Sequence, residues 1–368
     1  MRFGTSWRFV FNLNRAVSIA AFAALLAGCG GAMSGSSVPG SADTTPRRPS
    51  ITTTAAPSPT PTPTPVPSPT PLPPAGTLYA AVTDRVYAYA LNAPTGTTTA
   101  QRTIIPHQNQ TQVLEGVATS ADGTLDILED FFTGSGMSQV SHCRVVVESA
   151  TADGSAAALG TYLCDPTNAG QAEGIARNTV GGYDVLYTDT TLSKDIVHRY
   201  SSDGATLSST LTLDFFPLYL ATDRGGHDDL DTSGGRIVSY KATTTDPTMR
   251  ASDVSLAGSP QLGPIAVSPG ADRTVYVVQG ALGNQNIYAL APGSATISRT
   301  IGPFTNRYIS ALAVDSQGNL YAGTNKTDNS FVSSVQVYGP SANGVPAPDR
   351  ILVVSPAVNF FRGLAISE

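Results

Sequence analysis

Ile309-Ser-Ala-Leu-Ala-Val-Asp-Ser-Gln-Gly-Asn-Leu-Tyr-Ala-Gly323 is the stretch that decides the fold. It reads as an apolar strand, a polar turn containing glycine, and a second apolar strand. The unit recurs. Leu114-Glu-Gly-Val-Ala-Thr-Ser-Ala-Asp-Gly-Thr-Leu-Asp126 and Ala172-Glu-Gly-Ile-Ala-Arg177 are two copies. Leu218-Tyr-Leu-Ala-Thr-Asp223, Leu262-Gly-Pro-Ile-Ala-Val-Ser268 and Phe361-Arg-Gly-Leu-Ala-Ile-Ser367 are three more. The shared alanines are Ala118, Ala176, Ala221, Ala266, Ala313 and Ala365, spaced by 58, 45, 45, 47 and 52 residues. A period of that length with no helical patterning marks stacked β-units that cannot bury their faces alone.

A second pair of strands follows each copy. Arg85-Val-Tyr-Ala-Tyr89, Asp195-Ile-Val-His-Arg-Tyr200, Arg236-Ile-Val-Ser-Tyr240, Asn286-Ile-Tyr-Ala-Leu290 and Ser334-Val-Gln-Val-Tyr338 form one set. Gln101-Arg-Thr-Ile104, Ser298-Arg-Thr-Ile301 and Asp349-Arg-Ile-Leu352 form another. Four short strands per repeat make one propeller blade, and six alanine strands predict an all-β, six-bladed β-propeller. The last copy lacks a second strand, whereas the domain opens with an orphan one, Thr77-Leu-Tyr-Ala-Ala-Val82. Pairing of these N- and C-terminal strands is expected to close the ring over residues 76–368 and to leave no large unpaired edge. The alanines are expected where the innermost strands crowd the central axis.

The first 75 residues read differently. Arg2, Arg8 and Arg15 precede an apolar run from Ala16 to Ala27, too short to span a bilayer and followed by a small-residue exit. That is a secretory signal over residues 1–28. Residues 30–75 hold no hydrophobic periodicity. Gly, Ser and Thr give way to Pro57-Ser-Pro-Thr-Pro and onward to Pro74, in which proline alternates. Alternating proline fixes φ, removes donors and favours polyproline II. At about 3.1 Å per residue, this part of a disordered linker would span on the order of 55 Å. Residues 29–75 are thus a stalk below the domain.

Leu26-Ala-Gly-Cys29 resembles the lipobox of bacterial lipoproteins. The resemblance implies cleavage before Cys29, diacylglycerol on its thiol and acylation of the new amino terminus. Several acyl chains hold a protein at a bilayer where one holds only reversibly. The partner implied is the lipid bilayer and the location is the bacterial cell envelope. Gly30, in place of the aspartate that retains lipoproteins at the inner membrane, favours the outer membrane if the host is Gram-negative.

Composition narrows the functions. The net charge is −6, and loss of residues 1–28, with three arginines and no acids, takes it to −9. An acidic chain with only Lys194, Lys241 and Lys326 as lysines has no footprint for nucleic acid. With Cys29 acylated, Cys143 and Cys164 remain, and in an exported domain they are expected to form a disulfide. His142 adjoins Cys143, but neighbours on a strand point to opposite faces, so no cysteine–histidine pair is expected. No His-Glu-x-x-His, Gly-x-Ser-x-Gly, P-loop or Rossmann fingerprint is present. The histidines are His107, His142, His198 and His227, too few for a His-rich metal centre. His198 lies in an alternating strand and reads as structural.

The repeat Leu312 to Tyr321 is similar to those of NHL-type and SMP-30-like six-bladed β-propellers, over about 290 residues. The resemblance implies the fold, whereas propellers host lactonases, lyases and inert scaffolds alike. Calcium-dependent lactonases use a Glu-Gly at a channel mouth, which singles out Glu115 and Glu173. Calcium takes six to eight oxygens, so two glutamates do not suffice. The equivalent positions read as Tyr219, Gly263, Ser310 and Arg362, none of them the Asn or Asp of the lactonase pattern. Arg362, one blade from Glu115, is expected to pair with it. His227, Asp228, Asp229 and Asp231 form a second candidate for a divalent ion. They lack EF-hand spacing and read as a solvated acidic turn. The sequons Asn109-Gln-Thr and Asn325-Lys-Thr carry no weight in a bacterial chain. The expectation is a monomeric, non-catalytic envelope lipoprotein without cofactor that binds an envelope protein or glycan. The alternative is a metal-dependent propeller hydrolase or lyase, with Ca2+ held at the channel mouth.

Overall fold

The computed structural model describes residues 76–106, 112–120, 122–133, 140–155, 157–164, 170–232, 235–257, 262–327, 333–355 and 360–368. The signal, Cys29 and the Pro-rich stalk lie outside the described residues, as do His107 and the Asn109 sequon.

Six sheets form the domain, antiparallel but for Gly96–Thr99, which adds in parallel to the edge of one, and it is a six-bladed β-propeller. Blade 1 runs outward from the axis as Gln112–Thr119, Leu125–Thr133, Val140–Glu148 and Gly160–Leu163. Blade 2 is Gly170–Arg177, Tyr183–Asp189, Lys194–Tyr200 and Leu207–Thr212; blade 3 is Pro217–Thr222, His227–Thr232, Arg236–Lys241 and Ser252–Ser255. Blade 4 is Leu262–Val267, Val275–Ala281, Asn284–Leu290 and Ile297–Thr305; blade 5 is Arg307–Val314, Leu320–Lys326, Ser333–Tyr338 and Arg350–Ser355. Blade 6 is built from both ends: Gly363–Ser367 is innermost, followed by Thr77–Ala81, Val86–Ala90 and Arg102–Ile104. The closing pair is in register, with Thr77 opposite Ser367, Tyr79 opposite Ala365 and Ala81 opposite Gly363.

The apolar residues gather in six clusters, one per junction between neighbouring blades. Strand alternation causes this, because successive side chains face opposite neighbours. Val145 packs in the cluster shared with blade 2, while Val146 packs in the cluster shared with blade 6. At the axis the innermost strands approach closely. A Cβ on Gly363 would lie 3.2 Å from the Val117 nitrogen, and one on Gly116 would lie 3.0 Å from Ile175 Cγ2. Five of the six shared alanines are buried, and Ala176 is partly buried against the junction of blades 2 and 3. The Cys143–Cys164 disulfide joins the third strand of blade 1 to the end of its outer strand, with Cα atoms 5.3 Å apart.

Three junctions carry one repeated clasp. Arg102, Arg299 and Arg350 each donate to a tyrosine hydroxyl of their own blade, Tyr79 (3.0 Å), Tyr276 (2.6 Å) and Tyr321 (3.1 Å). The same guanidinium reaches backbone carbonyls of the next blade: Ala150 and Ala152, Pro340, or Leu91 and Ala93. Beside each arginine, an outer-strand N–H donates to a turn side chain of that next blade, Thr103 to Asp153, Thr300 to Asn343 and Ile351 to Thr95. The glycine after each turn residue, Gly154, Gly344 or Gly96, pairs in parallel with the outer strand.

Closure at Gly76 can be tested. A Cβ there would collide with the Ser367 carbonyl oxygen. Gly76→Ala is expected to cost about 2 kcal/mol, in the range of strongly disruptive substitutions. Gly154→Ala, at φ 61° with open space around its Cβ, is expected to cost only about 1 kcal/mol of backbone strain. Denaturant titration of both variants measures the difference.

Candidate channel mouth

The innermost strands of blades 1 to 5 share an irregularity near their starts. Register shifts between Leu114 and Gly116, Pro217 and Tyr219, Leu262 and Ile265, and Ile309 and Ala311. In blade 2, Gly174 and Ala172 are paired while Glu173 is skipped. Each is a β-bulge, which leaves one residue out of the ladder and re-aims its side chain. The skipped residues are Glu115, Glu173, Leu218 and Ser310, with Gly263-Pro264 spanning the bulge of blade 4. The position equivalent to the glutamates in blade 3 is therefore Leu218 and not Tyr219, which pairs with Asp231. Glu115, Glu173 and Leu218 each stand three residues before the shared alanine of their blade, whereas Tyr219 stands two before Ala221, so the expected equivalence was one residue out of step.

Buried acceptors hold the freed N–H groups. Asp231 accepts from the Tyr219 N–H at 2.8 Å and from that of Leu218. Asp130 accepts from the Ala172 N–H at 2.6 Å, and Gln285 Oε1 from the Ile309 N–H at 2.7 Å. Burial pushes the Asp231 carboxyl well above the usual carboxylate range despite these donors.

Side chains brace the mouth from one blade to the next. Arg362, just before the innermost strand of blade 6, donates from Nη1 to Glu115 Oε2 at 3.2 Å. Their side chains are 28% and 11% exposed. The Arg362 guanidinium sits 5.3 Å from the Phe360 ring centroid, a cation–π contact. Phe360 stacks on Tyr308 with centroids 5.5 Å apart and planes at 20°. The Tyr219 and Tyr308 phenols lie close enough to influence each other, which links blade 3 to blade 5. Burial raises both phenols above their ordinary value. Glu173 Oε1 accepts from the Thr188 hydroxyl at 3.4 Å. Tyr308 and Phe360 were not foreseen as mouth residues. The signal was an aromatic five residues before the shared alanine in each of two adjacent blades.

The second candidate is not a turn. His227–Thr232 is the second strand of blade 3, and both Asp228 and Asp231 are 0% exposed. The strand pairs on both sides, so alternate acids face opposite junctions and find separate partners. Asp228 takes the Arg199 fork, and Asp229 accepts from Ser239. His227 faces Asp223 and Arg273. Among the described residues, no group of three His, Cys, Asp or Glu side chains comes together to hold a metal ion.

The remaining polar residues have structural settings. His198 Nδ1 lies 2.8 Å from the Cys164 carbonyl, and its ring meets Tyr187 edge-on. His142 lies 2.9 Å from the Thr133 hydroxyl and stacks on Phe131. Asn325 of the second sequon is buried, with its side chain bonded to Ser310 and Ser333.

No family model and no curated protein matches the chain. Among solved structures it is similar to a protein of unknown function from Bacteroides caccae, at 9% identity and TM-score 0.54, over 80% of this chain and 100% of that one. It is also similar to the WD40 β-propeller domain of Doa1, at 11% identity and TM-score 0.43, over 73% of this chain and 90% of that one. The likeness is one of fold.

The brace makes a graded prediction. Glu115→Gln keeps an acceptor for Arg362 at a partly exposed pair and is expected to cost less than about 1 kcal/mol. Arg362→Leu removes the cation from Glu115 and the contact with Phe360, and is expected to cost about 1–3 kcal/mol. Urea denaturation of both variants measures the order; equal costs would mean that Arg362 braces nothing.

Proposed function

We propose that this protein is a lipid-anchored, non-catalytic propeller of the bacterial cell envelope, which presents its ring to an envelope protein or glycan. The observation that carries the reading is the brace Glu115–Arg362–Phe360–Tyr308–Tyr219, which commits Glu115, Arg362 and three aromatic rings of the mouth to one another. A metal-dependent hydrolase would need several oxygen ligands free to converge on one ion. Here Glu115 is held by arginine, and the bulge positions of blades 3, 4 and 5 offer Leu218, Gly263-Pro264 and Ser310.

The chain's course supports an orientation. Thr77 pairs with Ser367, so the polypeptide enters the ring where the innermost strands end, on the face opposite the Glu115 mouth. Loops on such a face can vary without cost to the packed junctions.

The hydrolase reading keeps one point in its favour: Glu115 and Glu173 do sit at equivalent bulges of adjacent blades. Thermal unfolding of the full chain in detergent, with calcium and with chelator, separates the two. A ligand at 100 times its dissociation constant stabilises by about 2.7 kcal/mol, a shift of several degrees. No shift is expected. A calcium-dependent shift that disappears in Glu115→Gln would replace the binding reading with the hydrolase. For the anchor, metabolic labelling with a fatty acid is expected to mark the protein in membranes, and Cys29→Ala to abolish the label and release it.

A further inference from the structure

The residue that faces the shared alanine divides the ring into halves. In blades 4, 5 and 6 it is Tyr276, Tyr321 and Tyr79, the tyrosines of the arginine clasps. In blades 1, 2 and 3 it is Asp126, Asp184 and Asp229. All three aspartates are buried.

Asp184 is the most enclosed of them, at 0% exposure. Its Oδ1 accepts from Asn178 Nδ2 at 3.0 Å. Its Oδ2 meets no N–H or hydroxyl donor, and neither does Oδ1 of Asp228 in the next blade. Asp228 is the carboxyl that bears on Asp184, and Arg199, which faces Asp184 in the ladder, grips Asp228. Two neighbouring carboxylates repel each other, and one proton between them lets them hydrogen-bond. Asp228 Oδ2 takes both Nε and Nη2 of Arg199, at 2.8 and 2.5 Å. The same guanidinium reaches the Thr244 carbonyl of blade 3 at 2.7 Å. Asp184, Asn178 and Arg199 belong to blade 2, whereas Asp228 and Thr244 belong to blade 3.

We propose that Asp184 and Asp228 share one proton that latches blade 2 to blade 3, and that alkalinisation releases this latch ahead of the arginine–tyrosine half of the ring. Burial, then the charge of Asp228, raise the Asp184 carboxyl far above its usual range. The native state therefore holds a proton that the unfolded chain gives up near pH 4. Below that pH both states are protonated and the latch contributes fully. Above it, the folding equilibrium falls by up to tenfold per pH unit, until the native carboxyl itself ionises.

Other groups titrate nearby. Asp229, on the opposite face of the blade 3 strand, is raised to about 7 by burial, with Ser239, Asp223, Asp228 and Arg273 around it. Asp126 of blade 1 is raised to about 6 by burial against the pull of Arg177, with Asp122 beside it. Their sign is the same, so the wild-type slope alone does not isolate the latch.

Asp184→Asn isolates it, because an amide donates to Asp228 at every pH. Urea denaturation of the full chain from pH 5 to 8 is the test. The variant is expected to lose up to tenfold less of its folding equilibrium per pH unit than the wild type, and to be the more stable protein at pH 8. Parallel profiles overturn the proposal. Hydrogen exchange of the wild-type chain, corrected for intrinsic rates, needs no variant. Protection of Tyr183–Asp189 and His227–Thr232 is expected to fall from pH 6 to 8.5 relative to Val275–Ala281 and Leu320–Lys326. A uniform change across the four strands overturns the local latch.

Discussion

Each blade of this protein is a thin sheet that is apolar on both faces and can bury them only against its neighbours. The six clusters of buried residues are accordingly junctions between blades, and none is the interior of a blade. An open stack would leave two apolar faces in water. The pairing of Thr77–Ala81 with Gly363–Ser367 removes both at once, so the stability of every junction depends on a ladder of five residue pairs. The small residues at the axis follow from the same closure. Six strands converge there, and Gly116 and Gly363 stand where a side chain would meet a neighbouring strand.

Two different chemistries fasten the junctions. Blades 4, 5 and 6 use a planar guanidinium that forks between a tyrosine hydroxyl and the carbonyls of the next blade. Such bonds do not titrate in the physiological range, since arginine stays charged throughout it. Blades 1, 2 and 3 put a carboxyl at the same place and match it with Arg177, with Asp228 and Arg199, or with Ser239. The ring is thus symmetric in backbone and asymmetric in electrostatics. The mouth belongs to neither half, since its brace runs from Glu115 of blade 1 through blades 6 and 5 to Tyr219 of blade 3.

Much of this was legible in the repeats. The alanine spacing marked the innermost strands, and the orphan Thr77–Val82 stretch marked the closure. The Arg-Thr-Ile and Arg-Ile-Leu copies located the clasp arginines without revealing what they clasp, because their partners are carbonyls with no sequence signature. The turns Thr95-Gly96, Asp153-Gly154 and Asn343-Gly344 are that signature's missing half, and they lie too far apart in sequence to be read as one device. Leu218 stands three residues before Ala221, as Glu115 and Glu173 do before Ala118 and Ala176, so the alanine spacing itself points to Leu218 and not to Tyr219 as their equivalent. The acids from Asp228 to Asp231 looked solvated because charge density usually means surface. Here each has a donor from a different strand or blade, which a one-dimensional reading does not see.

The closing strand also has a direction. Thr77–Ala81 lies between Gly363–Ser367 and Val86–Ala90, antiparallel to both. A force applied to the chain at Gly76 runs along that strand and loads the hydrogen bonds on both sides together, in shear. The bonds must then fail as a set, since none is peeled off singly. The strand that would bear such a load is the same one that keeps the ring shut.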